Sequence, residues 1–285
     1  MKYVRIIPRL DIKGPNLVKG VHLEGLRVLG KPEEFARVYY EQKADELIFQ
    51  DTVASLYNRN NLTEIITKTA ENIFIPITVG GGIRNLDDIN NLLKAGADKI
   101  LINTAGIKNP NFINETAYFF GSSTVVISIE AIQHSDGSYQ AYTDNGREPT
   151  GIDVLDWAKE VEQRGAGEIM LTSVDRDGTG TGFDINLIKM VRENVNISVI
   201  GHGGASNVGH LIEAIENGRA DALAIASMLH YSTLKTKMLS EKEFKEEGNI
   251  DFLKENTNFN VFGSHKLIDI KKILSMNDIP LRTDN

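Results

Sequence analysis

Two carboxylic side chains occupy equivalent places in the sequence, each at the end of an apolar segment. Asp11 lies near the end of the segment Val4 to Ile12, and Glu130 ends the segment Thr124 to Glu130. Two carboxylates on opposite sides of a site can act as general acid and general base, provided that their surroundings separate their pKa values. Taken singly, such a carboxylate could equally cap a loop or a turn.

Two glycine-rich turns suggest phosphate binding. Each follows an apolar segment and precedes a helix-like segment and a second apolar segment that ends in small residues. The first set is Gly81, Gly82, Asn103 and Thr104, and the second is Gly203, Gly204, Ala226 and Ser227. Glycine allows close backbone approach to a ligand, and the N–H groups at a helix start attract anions. We therefore expect two phosphate cradles, although such glycines could also serve tight turns alone.

A polar, glycine-dense segment from Asp175 to Gly182 lies between these two sets. It contains Asp177 and Gly178. We expect it to complete the second cradle, or alternatively to act as a lid without direct contact to the ligand.

An internal repeat indicates the fold. Ile75 corresponds to Ile197, an offset of 122 residues, and Glu46 corresponds to Glu168 at the same offset. Eight apolar strands alternate with helices, a pattern typical of an α/β protein that forms a single (β/α)₈ TIM barrel, here with a twofold repeat of half-barrels. We predict one domain over residues 1–285, with half-barrels at about 1–122 and 123–285 and an insertion at about 235–262.

Two segments interrupt the strand and helix alternation. Lys13 to Gly30 is rich in turn residues and predicts a long loop, which is more often functional than accidental. His134 to Tyr142 predicts a small hairpin that turns at Asp136-Gly137. In a barrel of this class the strand ends and the loops that follow them carry the catalytic groups, so Asp11 and Glu130 should face each other across the mouth.

Composition limits the function classes. The chain has 39 acidic and 31 basic residues, a net charge of −8, which disfavours general nucleic-acid binding. It has no cysteine, so disulfides and cysteine-ligated zinc are excluded. We expect neither a metal nor an organic cofactor. No apolar run is long enough for a signal peptide or a membrane span, which predicts a cytoplasmic protein without membrane contact.

Four charged residues lie near the starts of the first, second, fourth and sixth strands: Arg5, Glu46, Lys99 and Glu168. If their side chains point into the barrel, they should pair in a closed ring, because unpaired buried charges are strongly unfavourable. The alternative is a set of solvated charges at the strand starts.

Several of these motifs together resemble the cyclase subunit of imidazole glycerol phosphate synthase over about residues 3–234. They are Arg5-Ile-Ile-Pro-Arg-Leu-Asp-Ile-Lys13, Val18-Lys-Gly20, Thr78-Val-Gly-Gly-Gly-Ile83, Ile102-Asn-Thr104, Leu171-Thr-Ser-Val-Asp-Arg-Asp-Gly-Thr179 and Gly203-Gly-Ala205. The resemblance implies a barrel that receives ammonia from a glutaminase subunit in a heterodimer. It implies conversion of a bis-phosphorylated ribulosyl-formimino aminoimidazole carboxamide ribonucleotide to imidazole glycerol phosphate and aminoimidazole carboxamide ribonucleotide.

The resemblance also implies roles for single residues. Asp11 would be a catalytic acid or base, Lys19 would lie on the active-site loop, and the two cradles would hold the two substrate phosphates. The four charged residues at the strand starts would gate an ammonia passage at the glutaminase interface.

Two positions depart from the family pattern. Glu130 stands where the family has an aspartate, and its extra methylene moves the carboxylate by more than about 1 Å, a displacement that can cost about a hundredfold in rate. Arg9 stands where the family usually has a small residue, on the same face as Asp11, and could reach Asp11 or Glu130 and favour the ionised carboxylate. Two alternatives therefore stay open: an ammonia-delivering partner in the amidation of a surface sugar, and a phosphate-binding regulator of a glutaminase.

Overall fold

Eight parallel strands close into a barrel in the computed structural model, which describes residues 3–54, 62–236, 262 and 265–282. The strands are β1 (Arg5–Lys13), β2 (Asn16–Val21), β3 (Glu24–Gly30), β4 (Leu47–Asp51), β5 (Ile77–Gly80), β6 (Lys99–Ile102), β7 (Val125–Gln133), β8 (Tyr139–Thr143), β9 (Glu148–Asp153), β10 (Glu168–Ser173), β11 (Ser198–His202) and β12 (Ala222–Ile225). The order around the barrel is β1, β4, β5, β6, β7, β10, β11, β12, and β12 pairs with β1. The predicted (β/α)₈ barrel is confirmed.

Helices cover the outside of the barrel in the described part of the chain. They are α1 (Pro32–Glu41), α2 (Leu62–Ala70), α3 (Leu86–Lys94), α4 (Thr104–Lys108), α5 (Asn111–Phe120), α6 (Val154–Gln163), α7 (Ile185–Arg192), α8 (Val208–Glu216), α9 (Ser227–Thr236) and α10 (Leu267–Met276), with a short 3₁₀ turn at Ser122–Thr124. Asn85 and Asn207 cap α3 and α8 in the same way, each side chain accepting a hydrogen bond from the backbone N–H three residues later. These matching caps lie directly after the two glycine turns.

The barrel interior is layered, because alternate residues of every strand point inward. An apolar layer fills the middle and consists of Ile7, Ile48, Leu101, Val126, Met170, Ile200, Ala222 and Ala224. Polar side chains lie above it at the carboxyl ends of the strands and charged ones below it at the amino ends. This layer therefore separates two polar regions of one barrel.

Two antiparallel hairpins extend barrel strands beyond the carboxyl end. β2 pairs with β1 and β3 with β2, so the segment predicted as a long loop from Lys13 to Gly30 is in fact a hairpin. β8 pairs with β7, and β9 pairs with β8. The connection from β7 to β8 turns between His134 and Ser138, as expected.

The division into two half-barrels stays a prediction, as does the single-domain boundary. The expected insertion at about 235–262 falls almost entirely on 237–261, outside the described residues. Within the described residues, no helix is long and apolar enough to cross a lipid bilayer.

Candidate active site

The mouth of the barrel brings together the two carboxylates proposed for acid–base chemistry. Asp11 comes from β1 and Glu130 from β7, which are the first and fifth of eight barrel strands and therefore stand opposite each other. Asp11 is 2% exposed and Glu130 is 5% exposed. Both lie at the carboxyl end of the barrel, where catalytic groups of this fold are found.

Two cations hold Asp11. Arg9 Nε lies 2.9 Å from Asp11 Oδ1, and Lys19 Nζ lies 3.3 Å from Asp11 Oδ2. Burial by itself would raise the pKa of Asp11, but the charges of Arg9 and Lys19 outweigh it and place the pKa below its ordinary value. Asp11 is therefore a carboxylate at neutral pH.

Lys19 links the first hairpin to the loop after β10. Its Nζ lies 2.8 Å and 3.0 Å from the two carboxylate oxygens of Asp177, and its side chain is 1% exposed. His202 Nε2 from β11 lies 3.3 Å from Asp177 Oδ1. Burial would raise the pKa of Asp177, but the charge of Lys19 and the hydrogen bond with His202 hold it well below its usual range. These residues and Arg9 form one buried charge network.

Glu130 has a different environment. Its Oε2 accepts a hydrogen bond of 2.8 Å from the backbone N–H of Gly146, in the turn between β8 and β9. Asn103 also donates to it, and the Asn103 amide is itself held by the carbonyl of Tyr142 at 3.2 Å. Burial is the largest effect and raises the pKa of Glu130 to about 7, above its ordinary value. The two opposed carboxyl groups thus have separated pKa values, as acid–base catalysis requires.

The first glycine turn lines an open cavity of about 380 Å³ next to Glu130. The predicted residues Gly81, Gly82, Asn103 and Thr104 all line it, together with Arg84, Lys108, Asp144 and Asn145. Gly81 has a φ of 101°, and a Cβ atom there would meet the backbone of Asp51, so close packing against β4 requires glycine. The cavity combines backbone N–H groups with two cationic side chains, which suits a phosphate group.

The second glycine turn lines a much smaller space of about 10 Å³. Its residues are Asp177, Gly178, His202, Gly203, Gly204, Ala226 and Ser227 with their apolar neighbours. The first hairpin closes against this side: the N–H of His22 donates to the carbonyl of Asp177 at 2.9 Å, and a Cβ on Gly178 would meet the carbonyl oxygen of Gly20. The residues predicted for the second cradle are together, and the hairpin lies against them.

The four charged residues at the amino ends of the strands form a closed ring. Arg5 lies 2.7 Å from Glu46 and 2.8 Å from Glu168, and Lys99 lies 3.1 Å from each of the same two carboxylates. Ser198 of β11 accepts a further hydrogen bond of 2.8 Å from Arg5. These side chains are 8% to 21% exposed, so the ring is half-buried and its charges are paired.

Sequence reasoning did not find every residue at the mouth. The second hairpin, β8 and β9, contributes further residues from its turn. The backbone N–H of Gly146 donates to Glu130, and the first cavity is lined by Asp144 and Asn145. The Asn-Gly pair at Asn145-Gly146 is a turn signal, and it could have shown that the inserted segment folds back over β7. Asp175 points away from the mouth: it is exposed, and its carboxylate accepts a hydrogen bond from the N–H of Gln133.

Comparison with known proteins gives the family. The pattern of the histidine biosynthesis protein family matches residues 5–235, four-fifths of the chain. This chain belongs to that family.

Several relatives align with this chain over most of their own length. The Legionella pneumophila "Imidazole glycerol phosphate synthase subunit HisF" is 62% identical over 204 residues, which cover 72% of this chain and 96% of the relative. Proteins of the same name from Hydrogenobaculum sp. (strain Y04AAS1) and Alkaliphilus metalliredigens (strain QYMF) are 46% and 45% identical. These matches cover 86% and 83% of this chain and 97% and 94% of the respective relatives.

Proposed function

We propose that this chain is the cyclase subunit of an imidazole glycerol phosphate synthase and acts in histidine biosynthesis. The observation that carries the proposal is the pair Asp11 and Glu130, opposed across the mouth between two glycine cradles, in a chain with relatives of that name at 45% to 62% identity. The substrate is then a ribulosyl-formimino aminoimidazole carboxamide ribonucleotide with a phosphate at each end. One phosphate occupies the open cavity at the first cradle, and the other occupies the second cradle once the first hairpin moves aside, because the free space there is only about 10 Å³. The reacting centre then lies between the two carboxyl groups.

The overall reaction needs ammonia, a proton donor and a proton acceptor. Ammonia condenses with the ketone carbon of the ribulosyl part and water leaves. The new nitrogen then bonds to the formimino carbon, and the bond from that carbon to the carboxamide ribonucleotide breaks. The products are imidazole glycerol phosphate, aminoimidazole carboxamide ribonucleotide and one water. Asp11 and Glu130 are positioned to exchange the protons of these steps, and Lys19 and Arg9 add positive charge at the mouth.

Ammonia enters at the opposite end of the barrel in this proposal. The ring of Arg5, Glu46, Lys99 and Glu168 surrounds the barrel axis there. Exposed apolar side chains lie at the same end, notably Tyr3 before β1, Phe74 before β5 and Met276 at the last position of α10. Such side chains are typical of a protein interface, and a glutaminase docked on them would release ammonia onto the ring.

Incubation of the purified protein with the bis-phosphorylated substrate and an ammonium salt tests the proposal. We expect the ultraviolet absorbance of the substrate to disappear and both products to form, without any glutaminase. With glutamine replacing the ammonium salt, turnover should require the glutaminase subunit. Binding of the substrate without turnover under either condition would contradict the cyclase function.

The contact between Arg9 and Asp11 favours a second candidate function. Arg9 fills space beside Asp11 and pairs with it, so a barrel of this kind could deliver ammonia to another enzyme, for example in the amidation of a surface sugar, and perform no cyclisation itself. The same incubation separates the two functions. A barrel that activates a glutaminase and releases ammonia, but leaves the bis-phosphorylated substrate intact, has the second function.

A further inference from the structure

A polar layer lies directly above the apolar layer of the barrel. Alternate residues of a strand point to the same side, so the residues two positions beyond the members of the apolar layer also point inward. The polar residues at such positions are Arg9, Gln50, Asn103, Ser128, Thr172 and His202. A small molecule that crosses the apolar layer towards the mouth therefore meets this polar layer first.

Arg9 fills one half of the polar layer. Its side chain is 3% exposed, with Nε at 2.9 Å from Asp11 Oδ1 and Nη1 at 3.4 Å from Thr172 Oγ1. The guanidinium group therefore reaches from β1 to β10, the first and the sixth strands of the barrel. The free space beside His202 on β11 is only about 10 Å³. Within the described residues, this half of the floor is closed.

The other half of the polar layer is open. Gln50, Asn103 and Ser128 line the first cavity, which has a volume of about 380 Å³. Leu101 lines the same cavity and is a member of the apolar layer. The cavity therefore extends from the mouth down to the apolar layer, on the side of β4, β6 and β7 and away from Arg9. This geometry places the connection between the apolar layer and the mouth to one side of the barrel axis.

Two hydrogen-bond acceptors on this side have no partner within the described residues. They are Gln50 Oε1 and Asn103 Oδ1, and both atoms are buried. The amide nitrogen of Asn103 donates to the carbonyl of Tyr142, which identifies the other amide atom as the oxygen. A Cβ atom on Gly80 would meet both Gln50 Oε1 and Leu101, so the Gln50 oxygen lies next to the apolar layer. Because a buried acceptor without a hydrogen bond is unfavourable, both oxygens favour a ligand that carries donors.

We propose that Gln50 and Asn103 form a receiving site for neutral ammonia, which enters the first cavity past Leu101 and not along the barrel axis. This inference rests on the proposed use of ammonia. Burial of an unpaired charge excludes ammonium ions from the apolar layer, so ammonia arrives with its lone pair. It donates N–H groups to Gln50 Oε1 and Asn103 Oδ1, and Ser128 adds a hydroxyl oxygen in the same cavity. The lone pair stays free to form the bond to the ketone carbon.

Side-chain amide NMR of the free protein tests the site without substrate or glutaminase. The protein is isotope-labelled in its Gln side chains, and the Gln50 resonance is identified by its absence in Gln50→Met. The probe is ammonium chloride added at alkaline pH, where much of it is neutral ammonia. We expect a saturable shift of the Gln50 resonance. Sodium chloride at the same ionic strength and trimethylamine, whose neutral form has no N–H group, should give no such shift.

Replacing Gln50 by methionine tests whether the site serves turnover. Methionine has nearly the length and volume of glutamine but only a weak acceptor. We expect the KM for ammonia to rise about two- to tenfold, the range of one lost hydrogen bond between neutral groups, and the KM for the bis-phosphorylated substrate to stay unchanged. A purely structural role of Gln50 would change both constants together. Gln163→Met is the matched control, because Gln163 is an exposed glutamine at the end of α6 and should change neither constant.

The outcomes separate the receiving site from the cyclase function. Absence of a shift, or equal shifts with ammonia, sodium chloride and trimethylamine, overturns the receiving site and leaves the cyclase function intact. An unchanged KM for ammonia in Gln50→Met, while turnover continues, overturns it as well. Absence of turnover in the parent overturns the cyclase function, and the NMR titration then decides the receiving site by itself.

Discussion

Lys19 carries its positive charge inside the protein, where two carboxylates compensate it, one nearby in the sequence and one distant. Asp11 lies on the neighbouring strand β1, and Asp177 lies in the loop after β10. Burial by itself would lower the pKa of Lys19, but Asp177 and Asp11 outweigh it and raise the pKa above its ordinary value. A single side chain thus connects the first hairpin, the Asp11 carboxylate and the loop after β10.

Replacing Lys19 by methionine should destabilise the protein. The change leaves Asp177 and Asp11 buried with one fewer cation, and removal of one member of a buried pair typically costs about 3–5 kcal/mol of unfolding free energy. Denaturant unfolding at pH 7 measures the difference from the parent. Lys68→Met is the matched control, because Lys68 forms a fully exposed pair with Glu64 at 2.7 Å and should give no measurable change.

The pKa shifts of Asp177 and Lys19 determine how this loss of unfolding free energy changes with pH. The pKa of Asp177 is lowered on folding, so its contribution to stability is complete above its ordinary value of 3.8 and disappears as the pH falls through the folded value. The pKa of Lys19 is raised, so its contribution is complete below 10.5 and disappears as the pH rises through the folded value. The difference between Lys19→Met and the parent should therefore be constant near neutrality and shrink in strong acid. A difference that grows in acid would contradict the buried ion pairs.

The first hairpin, β2 and β3, packs against the loop after β10 at the mouth of the barrel. It carries Lys19 and lies against the loop after β10 through the N–H of His22, which donates to the carbonyl of Asp177, and the ring of His22, which contacts the carbonyl of Val174 at 3.0 Å. The two backbones approach closely at Gly20 and Gly178. A Cβ atom at position 178 would meet the backbone of Gly20 and Val21, so the hairpin position depends on glycine there.

A methyl group at Gly178 should displace the hairpin. Gly178 has a φ of 73°, and a Cβ there would meet the carbonyl oxygen of Gly20. We expect Gly178→Ala to reduce kcat/KM by about a hundredfold, because Lys19 moves away from Asp11 and a displacement of about 1 Å at a catalytic site can have that effect. Faster limited proteolysis within the hairpin should accompany the loss of activity.

Gly137→Ala separates the steric effect from backbone strain. Gly137 has a comparable φ of 87°, but nothing lies within 4 Å of a Cβ at that position. Its activity and proteolysis should match those of the parent. If both glycine variants lose activity equally, strain and not hairpin displacement is responsible.

At the scale of the whole molecule, the barrel has two polar ends separated by an apolar layer. The carboxyl end holds Asp11 and Glu130 with the two cradles, and the amino end holds the charged ring. In the proposed function, ammonia released at the amino end passes the apolar layer to reach the carboxyl end. The proposal therefore places ammonia entry and cyclisation along a single axis of the barrel.

A charge at Phe74 should weaken binding of the proposed glutaminase. Phe74 is 79% exposed at the amino end of the barrel and packs only edge-on against Tyr40 among ring contacts of the described residues. We expect Phe74→Glu to raise the Kd of the complex at least tenfold, about 1.4 kcal/mol, measured by titration calorimetry. Turnover with ammonium salt should be unchanged, because Phe74 is remote from the mouth.

Val21→Glu is the matched control for this interface. Val21 is another exposed apolar residue, on the first hairpin at the opposite end of the barrel. The Kd should be unchanged in that variant. Equal weakening by both variants would place the glutaminase elsewhere.

The sequence by itself determined the barrel and the opposition of its two carboxylates. Eight apolar strands that alternate with helices are compatible with few folds other than a closed barrel. Residues on the first and fifth of its eight strands must then stand opposite each other. The repeated glycine turns, with Gly81 and Gly203 at corresponding positions, likewise indicated two glycine-lined sites at the mouth, whose binding of phosphate stays a prediction. These features depend on periodicity and spacing, which are properties of the chain.

Only the tertiary structure decided which charges pair. Arg9 could have reached Asp11 or Glu130, and its side chain bonds to Asp11. The four charges at the strand starts could have been solvated, and they form a ring. The segment from Lys13 to Gly30 could have been a loop, and it forms a hairpin held by Asp177, more than 140 residues away in the sequence. Which charges pair depends on the distances between segments that only folding brings together. The strength of each ion pair depends on those distances and on how deeply the charges are buried.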